Sequence, residues 1–485
     1  MNIKKYFLTS YGEGCSNYLT ETIQQFSVLF LLVVLFIAGC SESAADKESS
    51  IETNPEIVCA ADNGGITLPD GFCASLVVDS LGRARHIAVA SNGDIYVKTR
   101  SEEGGIAALR DTTGDFQADI IERFSDMTPM GNGILWETGM AIHNGYLWAS
   151  NTEAVYRWPM PEGGKLVPEG EPEIVVNGFP EQRAHASKSI TFDESGHLYV
   201  AVGAPSNNCQ QEPRTPGSPG LDPCPQLERQ AGIWRFSADS VGQTQQDGIR
   251  YATGIRNIVG LDWNTSDHAL YVMQHGRDQL NQLWPDLYTT EDNAELPAEE
   301  MLRLTEGANA GWPYCYYDQQ QEQKVLSPEY GGDGQEVGRC SEFLDPVAAF
   351  PGHWAPNGLM FYTGEHFPEH YRGVPSLLST APGTVLRCPR RAIRSLLPPL
   401  KMVLRQMITK RLPMASLVWI PSLAEARRNT ARWVWQWDRM VPSLSPTPKR
   451  GASGAWYIPV KRTTKRGAED KLHGVNTLQP MFITY

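Results

Sequence analysis

One unit recurs along this chain: an apolar strand, a polar turn usually carrying Gly, and a second apolar strand. It reads Ile87-Ala-Val-Ala-Ser-Asn-Gly93-Asp-Ile-Tyr-Val, then Met140-Ala-Ile-His-Asn-Gly145-Tyr-Leu-Trp, Ile190-Thr-Phe-Asp-Glu-Ser-Gly196-His-Leu-Tyr-Val and Leu261-Asp-Trp-Asn-Thr-Ser-Asp-His-Ala-Leu270-Tyr-Val; Leu359-Met-Phe-Tyr-Thr-Gly364 opens a fifth. Each has the apolar alternation and turn chemistry of a β-hairpin. Their starts lie 53, 50, 71 and 98 residues apart, a repeat period stretched by two long insertions. With 44 Gly, 34 Pro and few helical periods in 485 residues, this predicts one large all-β domain, a β-propeller.

The chain changes character after Gly373. Of its 42 basic and 55 acidic residues, 19 and 4 fall in 374–485, leaving 23 and 51 before it, so the net charge of −13 combines about −28 with +15. A basic tail for nucleic acid or an anionic membrane is one reading. Such tails are low in complexity, whereas this one scatters Trp419, Trp433, Trp435, Trp437 and Trp456 among Pro and Arg without a helical or strand period. The alternative is a shifted reading frame. Codons can be chosen for Ser379 to Val385 that regroup to His-Gly-Ser-Trp-Asn-Arg, and for Met440 to Pro459 that regroup to Gly-Ser-Leu-Phe-Ile-Ser-Asp-Ser-Lys-Lys-Gly-Arg-Ile-Trp-Arg-Val-Val-Tyr-Thr, a strand, turn and strand. On this reading the gene encodes six blades while the chain spells five, followed by an aberrant, out-of-frame tail.

Phe26 to Ile37 is an apolar run interrupted only by Ser27, with Lys4 and Lys5 upstream, too short to span a bilayer and suited to a signal-peptide core. Ile37-Ala38-Gly39-Cys40 follows as a lipobox in which Cys40 takes lipid. The expected organisation is therefore a signal peptide over 1–39, a polar tether over 40–65, a propeller over 66–373 and the tail. The expected location is periplasmic, anchored to a bacterial membrane. Of nine cysteines, Cys15 leaves with the signal, Cys40 is acylated and Cys388 lies in the tail. Six remain, and proximity pairs Cys59 with Cys73, Cys209 with Cys224 and Cys315 with Cys340, one of fifteen connectivities in a disulfide-permissive compartment.

Val202-Gly-Ala-Pro-Ser-Asn207, Tyr251-Ala-Thr-Gly-Ile-Arg-Asn257, Gln274-His-Gly-Arg-Asp278, Glu306-Gly-Ala-Asn-Ala-Gly-Trp-Pro313 and His353-Trp-Ala-Pro-Asn-Gly358 resemble motifs of the glucose/sorbosone dehydrogenase family, and the chain is most similar to its L-sorbosone dehydrogenase branch. The resemblance covers roughly Leu68 to Gly373. It implies a six-bladed propeller that uses pyrroloquinoline quinone (PQQ) and Ca²⁺ to oxidise a sugar or sugar aldehyde, passing electrons to a cytochrome or the quinone pool.

Such chemistry needs a general base to take the hydroxyl proton while hydride leaves carbon, and a base with a pKa near neutral serves best. His185, in Arg183-Ala-His-Ala-Ser-Lys188, lies where the family carries its catalytic histidine. The glucose-oxidising members orient that base with an Asp, and the matching position here is Ala204. The resemblance places Arg256 and Asn257 against the cofactor, Arg256 toward carboxylate or reduced-quinone oxygens. It assigns Ca²⁺ to the backbone carbonyls of Gly276 and Arg277. Lys188 is either a further cofactor contact or a solvated loop lysine. Asp111-Thr-Thr-Gly-Asp115-Phe-Gln-Ala-Asp119 looks like a worn calcium loop, and Trp312-Pro-Tyr-Cys-Tyr-Tyr317 is a sugar platform or, more simply, blade core. Two other classes stay open, a calcium-dependent lactonase-like propeller and a non-enzymatic binding propeller.

Overall fold

The computed structural model describes residues 59–61, 63, 68, 72–79, 81–82, 84–99, 105–125, 139–365, 367, 369–373, 375–379, 455–457 and 482–484. The signal, lipobox and Cys40 lie outside them. The described residues are almost entirely β, arranged as a propeller.

Four sheets form successive blades, each an antiparallel meander. The first runs Ala84–Val89, Ile95–Thr99, Ile106–Arg110 and Ile120–Phe124. The second runs Met140–His143, Tyr146–Ser150, Val155–Pro159 and Glu173–Asn177, with Gln243–Thr244 added in parallel at its edge. The third uses Ile190–Phe192, His197–Val202, Gly232–Ser237 and Ile249–Thr253, with Ala308–Asn309 as a parallel addition. The fourth uses Ile258–Asn264, Ala269–Gln274, Glu299–Leu304 and Ala348–Phe350. A fifth hairpin, Pro356–Phe361 with Pro375–Ser379, follows. The first strands of the five units lie side by side in order, which is the inner ring of a propeller.

The second strands depart from the alternation expected of them. Ile95–Thr99 and Ala269–Gln274 are buried at every position, because a mid-blade strand is covered on both faces by neighbouring blades. The core is therefore a series of inter-blade layers. Trp148, Val155 and Val176 of the second blade meet Ile190, Leu198 and Trp234 of the third, and Tyr199, Ile233 and Tyr251 of the third meet Leu261, Leu270 and Leu302 of the fourth. Each such side chain contributes about 1.5–3 kcal/mol on burial.

The sequence assigned no strand to the tail, and here the structure adds detail. Ala455–Tyr457 pairs antiparallel with Ser75–Val78 and with Phe482–Thr484, giving a three-stranded sheet. Phe482–Thr484 lies beside the first blade's Ala84–Val89. With Pro375–Ser379, the described tail thus supplies three short strands, but no four-stranded blade.

Cys59–Cys73, Cys209–Cys224 and Cys315–Cys340 are bonded as proximity suggested. The last two close the long excursions at 203–231 and 305–347, which interlock on the third- and fourth-blade side. Gly220 N donates to Glu329 O at 2.8 Å, Arg339 pairs with Asp222 at 2.8 Å, and Tyr314 Oη accepts from Cys224 N at 3.0 Å. A side chain at Gly220 would overlap the Tyr330 ring, so only glycine permits this approach.

Candidate functional site

His185 sits in the loop leading into Ile190–Phe192, with a left-handed φ of 50°, a conformation uncommon outside glycine. Three contacts hold it there. Gln182 Nε2 donates to the carbonyls of Ala184, His185 and Gly203 at 2.9–3.0 Å, and Gln230 Nε2 steadies Gln182 at 2.9 Å. Gly203 passes so close that a Cβ there would meet His185 O at 2.5 Å. His185 Nδ1 lies 2.6 Å from Ala204 O. A carbonyl only accepts, so the ring proton is on Nδ1 and the lone pair on Nε2. The main chain of Ala204 thus takes the orienting role that its side chain cannot, since the expected carboxylate is missing.

Ala204 N in turn donates to Arg256 O at 2.7 Å. Arg256 follows the third blade's last strand, beyond Gly254 (φ 71°), where a Cβ would strike Asn309 Oδ1 at 2.2 Å. It is 3% exposed, so it is no surface arginine. Nε donates to Asn207 O at 3.1 Å, Nη1 to Gly276 O at 2.7 Å, and Nη2 to Asn207 Oδ1 at 3.0 Å and Asp278 Oδ2 at 2.9 Å. Asn257 Nδ2 donates to His275 Nδ1 at 3.1 Å, and His275 Nε2 donates to Pro356 O at 2.9 Å, tying the fourth unit to the fifth.

The structure therefore brings His185, Arg256, Asn257, Gly276 and Arg277 into one polar cluster and adds Asn207, His275 and Asp278. His275 and Asp278 stand inside the motif Gln274-His-Gly-Arg-Asp278, the signal that could have found them. Arg277 is buried against Glu329, Nη1 to Oε2 at 2.6 Å, and Asn208 and Trp284 also donate to that carboxylate. Beside the cluster is a small void, with room for about one water molecule, lined by Arg256, His275, Arg277, Glu300, Trp312 and Tyr316.

Lys188 is not a solvated lysine. It is fully buried, with Nζ donating to Ala186 O at 2.6 Å. Trp312 and Tyr316 are 4% exposed, which makes that aromatic run core rather than a sugar platform. In the worn calcium loop, Asp111 accepts from the backbone of Thr113, Gly114 and Phe116, and Asp119 from Thr112. Those carboxylates are engaged by the loop's own amides.

The electrostatics correct one expectation. His185 was expected near neutrality; burial, then the Arg256 charge, lowers it to about 3. His275 is lowered to about 4, first by burial and then by charges that include Arg256 and Arg85. Asp278, between Arg256 and Arg214, is lowered to about 2 despite partial burial that opposes the shift. Burial, which disfavours any charged form, accounts for most of the shift at both histidines, and only at Asp278 do the neighbouring Arg256 and Arg214 outweigh it. Toward a tricarboxylate quinone the cluster offers the Arg256 guanidinium, which in this structure donates to Asn207, Gly276 and Asp278 and would exchange some of these bonds for the cofactor's carboxylates. Gly276 O, which the resemblance assigns to Ca²⁺, already accepts from Arg256 Nη1, so an ion there would compete with the guanidinium for that carbonyl.

Several known proteins are similar. A stretch of 121 residues is 28% identical to an uncharacterized protein of Borreliella burgdorferi, covering 25% of this chain and 27% of that protein, so the chain matches about a quarter of the relative's length. Among solved structures, the PQQ domain of pyranose dehydrogenase from Coprinopsis cinerea has 17% identity over 62% of this chain and 73% of that one, with a TM-score of 0.48. The calcium structure of a Trichoderma reesei Carbohydrate-Active Enzymes Family AA12 protein has 19% identity, 68% and 84% coverage, and a TM-score of 0.49. A PQQ-bound aldose sugar dehydrogenase from Streptomyces coelicolor has 20% identity, 61% and 78% coverage, and a TM-score of 0.38. The family model described as TrAA12-like matches residues 66–371, well over half of the sequence, and the chain belongs to the TrAA12-like family.

Proposed function

We propose that this protein oxidises a sugar or sugar aldehyde, of the L-sorbosone or aldose type, with PQQ as the two-electron acceptor. The observation that carries the reading is His185 beside Arg256: an imidazole whose proton is held on Nδ1 by a main-chain acceptor, leaving the Nε2 lone pair as the proton acceptor. When bound, the quinone supplies a carbonyl that accepts hydride. His185 Nε2 takes the substrate hydroxyl proton as hydride leaves the same carbon, so the alcohol becomes a carbonyl, or a hemiacetal becomes a lactone, and the proton passes on to solvent. Arg256 repels a proton on His185 at rest. An anion beside Arg256 offsets that repulsion, so the base strengthens only when the ligand is in place. Asn257 and Lys188 support the loops around this pair through His275 and Ala186. Calcium on Gly276 and Arg277 would first have to displace Arg256 Nη1, and we give it no step.

The reading extends to the rest of the chain. Export and acylation at Cys40 would deliver electrons to a membrane cytochrome or quinone pool, and Cys40→Ser should then release the protein from membranes. The inverted charge and Trp scatter of 374–485 support a shifted frame near codon 373. A lactonase is not favoured by any observation, and a pure binding propeller gives no reason for the His185 tautomer.

Reconstitution with PQQ tests the reading. Aldoses should reduce a dye, and His185→Ala should lower kcat by about 100-fold or more while the quinone absorbance of the complex persists. Turnover retained in that variant would assign the proton to another group.

A further inference from the structure

Asn207 received no role from sequence or family, yet it makes five hydrogen bonds at the cluster. It is 3% exposed. Its amide reads the main chain of Asp278 in both directions, Nδ2 to Asp278 O at 2.9 Å and Asp278 N to Oδ1 at 2.9 Å. The same Oδ1 accepts from Arg256 Nη2 at 3.0 Å, and Asn207 O accepts from Arg256 Nε at 3.1 Å and from Trp312 Nε1 at 3.1 Å. Three loops that are far apart in sequence, at 207, 256 and 278, are joined through one side chain. Only an amide offers a donor and a shared acceptor in this geometry; a carboxylate lacks the donor, and an alanine lacks both. Two residues on, Cys209 anchors the loop through its bond to Cys224.

We propose that Asn207 is the positioning residue of this site: it fixes Arg256 and Asp278 relative to one another, and through Arg256 it sets the charge that His185 feels. The inference rests on the proposed oxidation for its catalytic meaning, but not for its geometry. The charged or titratable groups acting on His185 are Arg256, His275 and Asp278. Asn207→Ala removes one of the four side-chain hydrogen bonds of Arg256, Nη2 to Oδ1, together with both bonds to the Asp278 main chain, while Asn207→Asp keeps the acceptor and loses the donor to Asp278 O; in each case the Arg256–Asp278 arrangement loosens.

The test uses Asn207→Ala and Asn207→Asp in the full chain, with two readouts. In sugar oxidation by the PQQ-loaded protein, both variants should lose about 10- to 100-fold in kcat, the scale of a misplaced catalytic group, with KM changing less. In carbon-13 histidine NMR without cofactor, with the His185 signal identified by its loss in His185→Gln, the titration of His185 should move up toward the ordinary histidine range in both variants. The shift should be larger for Asn207→Asp, which adds a carboxylate beside Arg256. An unchanged His185 titration in a folded variant, whatever its melting temperature, would reduce Asn207 to a structural residue. Asn207→Asp is nearly isosteric and keeps the test open should Asn207→Ala not fold. Absence of sugar oxidation in the unaltered protein would overturn the proposed function alone, since the NMR titration still decides the positioning role.

Discussion

The two sides of the propeller are built differently. On the third- and fourth-blade side, two disulfide-closed excursions interlock over complete sheets, and two ion pairs, Arg277–Glu329 and Lys324–Glu300, are buried to within 2% exposure of their side chains. On the other side, the fifth unit is a two-stranded hairpin, and the sheet beside the first blade consists of three strands of three or four residues. Every residue of the His185–Arg256 cluster belongs to the first side or the loop that abuts it. A polar site needs fixed donors and acceptors, and these come from segments that are over-determined by packing.

The comparison can be broken most severely at the weak side. If 374–485 is out of frame, the chain ending at Tyr485 should be nearly inactive even with added quinone, and restoring the frame near codon 373 should raise soluble yield and sugar oxidation together. Equal rates from both chains would make the tail a working element. On the strong side, Glu329→Ala leaves a buried guanidinium unpaired and should cost about 3–5 kcal/mol by urea unfolding. Met360→Ala on the exposed face of the fifth hairpin should stay within about 0.5 kcal/mol. Similar losses at the two places would remove the distinction drawn here. Replacing Cys209 and Cys224 together by Ser opens a loop of 15 residues and should cost about 3 kcal/mol in the chain-entropy model, a loss that calorimetry of the oxidised and mutant proteins can check.

A further effect is set by pH. His86 and His275 are held at about 4 and His185 at about 3, all chiefly by burial, against an ordinary 6.5. The unfolded chain therefore takes up protons below about pH 6.5 that the folded chain refuses. Stability from this source is complete above that pH and falls steadily toward pH 4 and below, by up to about 1.4 kcal/mol per histidine per pH unit. His86→Gln should shallow the slope by one proton. A flat unfolding free energy between pH 6.5 and 4 would contradict the assignment.

Much of this was legible in the residues. The hairpins announced themselves because turn chemistry and strand pattern are local, and Ile87, Met140, Ile190 and Leu261 each fall within the first strand of a blade. The continuous burial of Ile95–Thr99 was not legible as such, because it depends on what covers each face. The three disulfides followed from proximity in sequence. His185 and Arg256 were found through motifs, but the partner of His185 was sought as a carboxylate and proved to be the carbonyl of Ala204, a group every residue carries. Asn207 escaped for a related reason: its worth lies in meeting 256 and 278, and nothing local encodes that meeting.

The sheet that joins Ser75–Val78 to Ala455–Tyr457 has a consequence in time. Val78 pairs with Ala455, so the contact spans nearly the whole propeller and cannot form until almost all of the chain has left the ribosome. The first four blades can stack in order as they emerge, from local contacts alone, whereas closure against the tail waits for the most distant strand pairing among the described residues and is the slow, high-contact-order step. Through that interval Ala84–Val89 has no neighbour on its open side, and a chaperone that shields a strand edge would act there first.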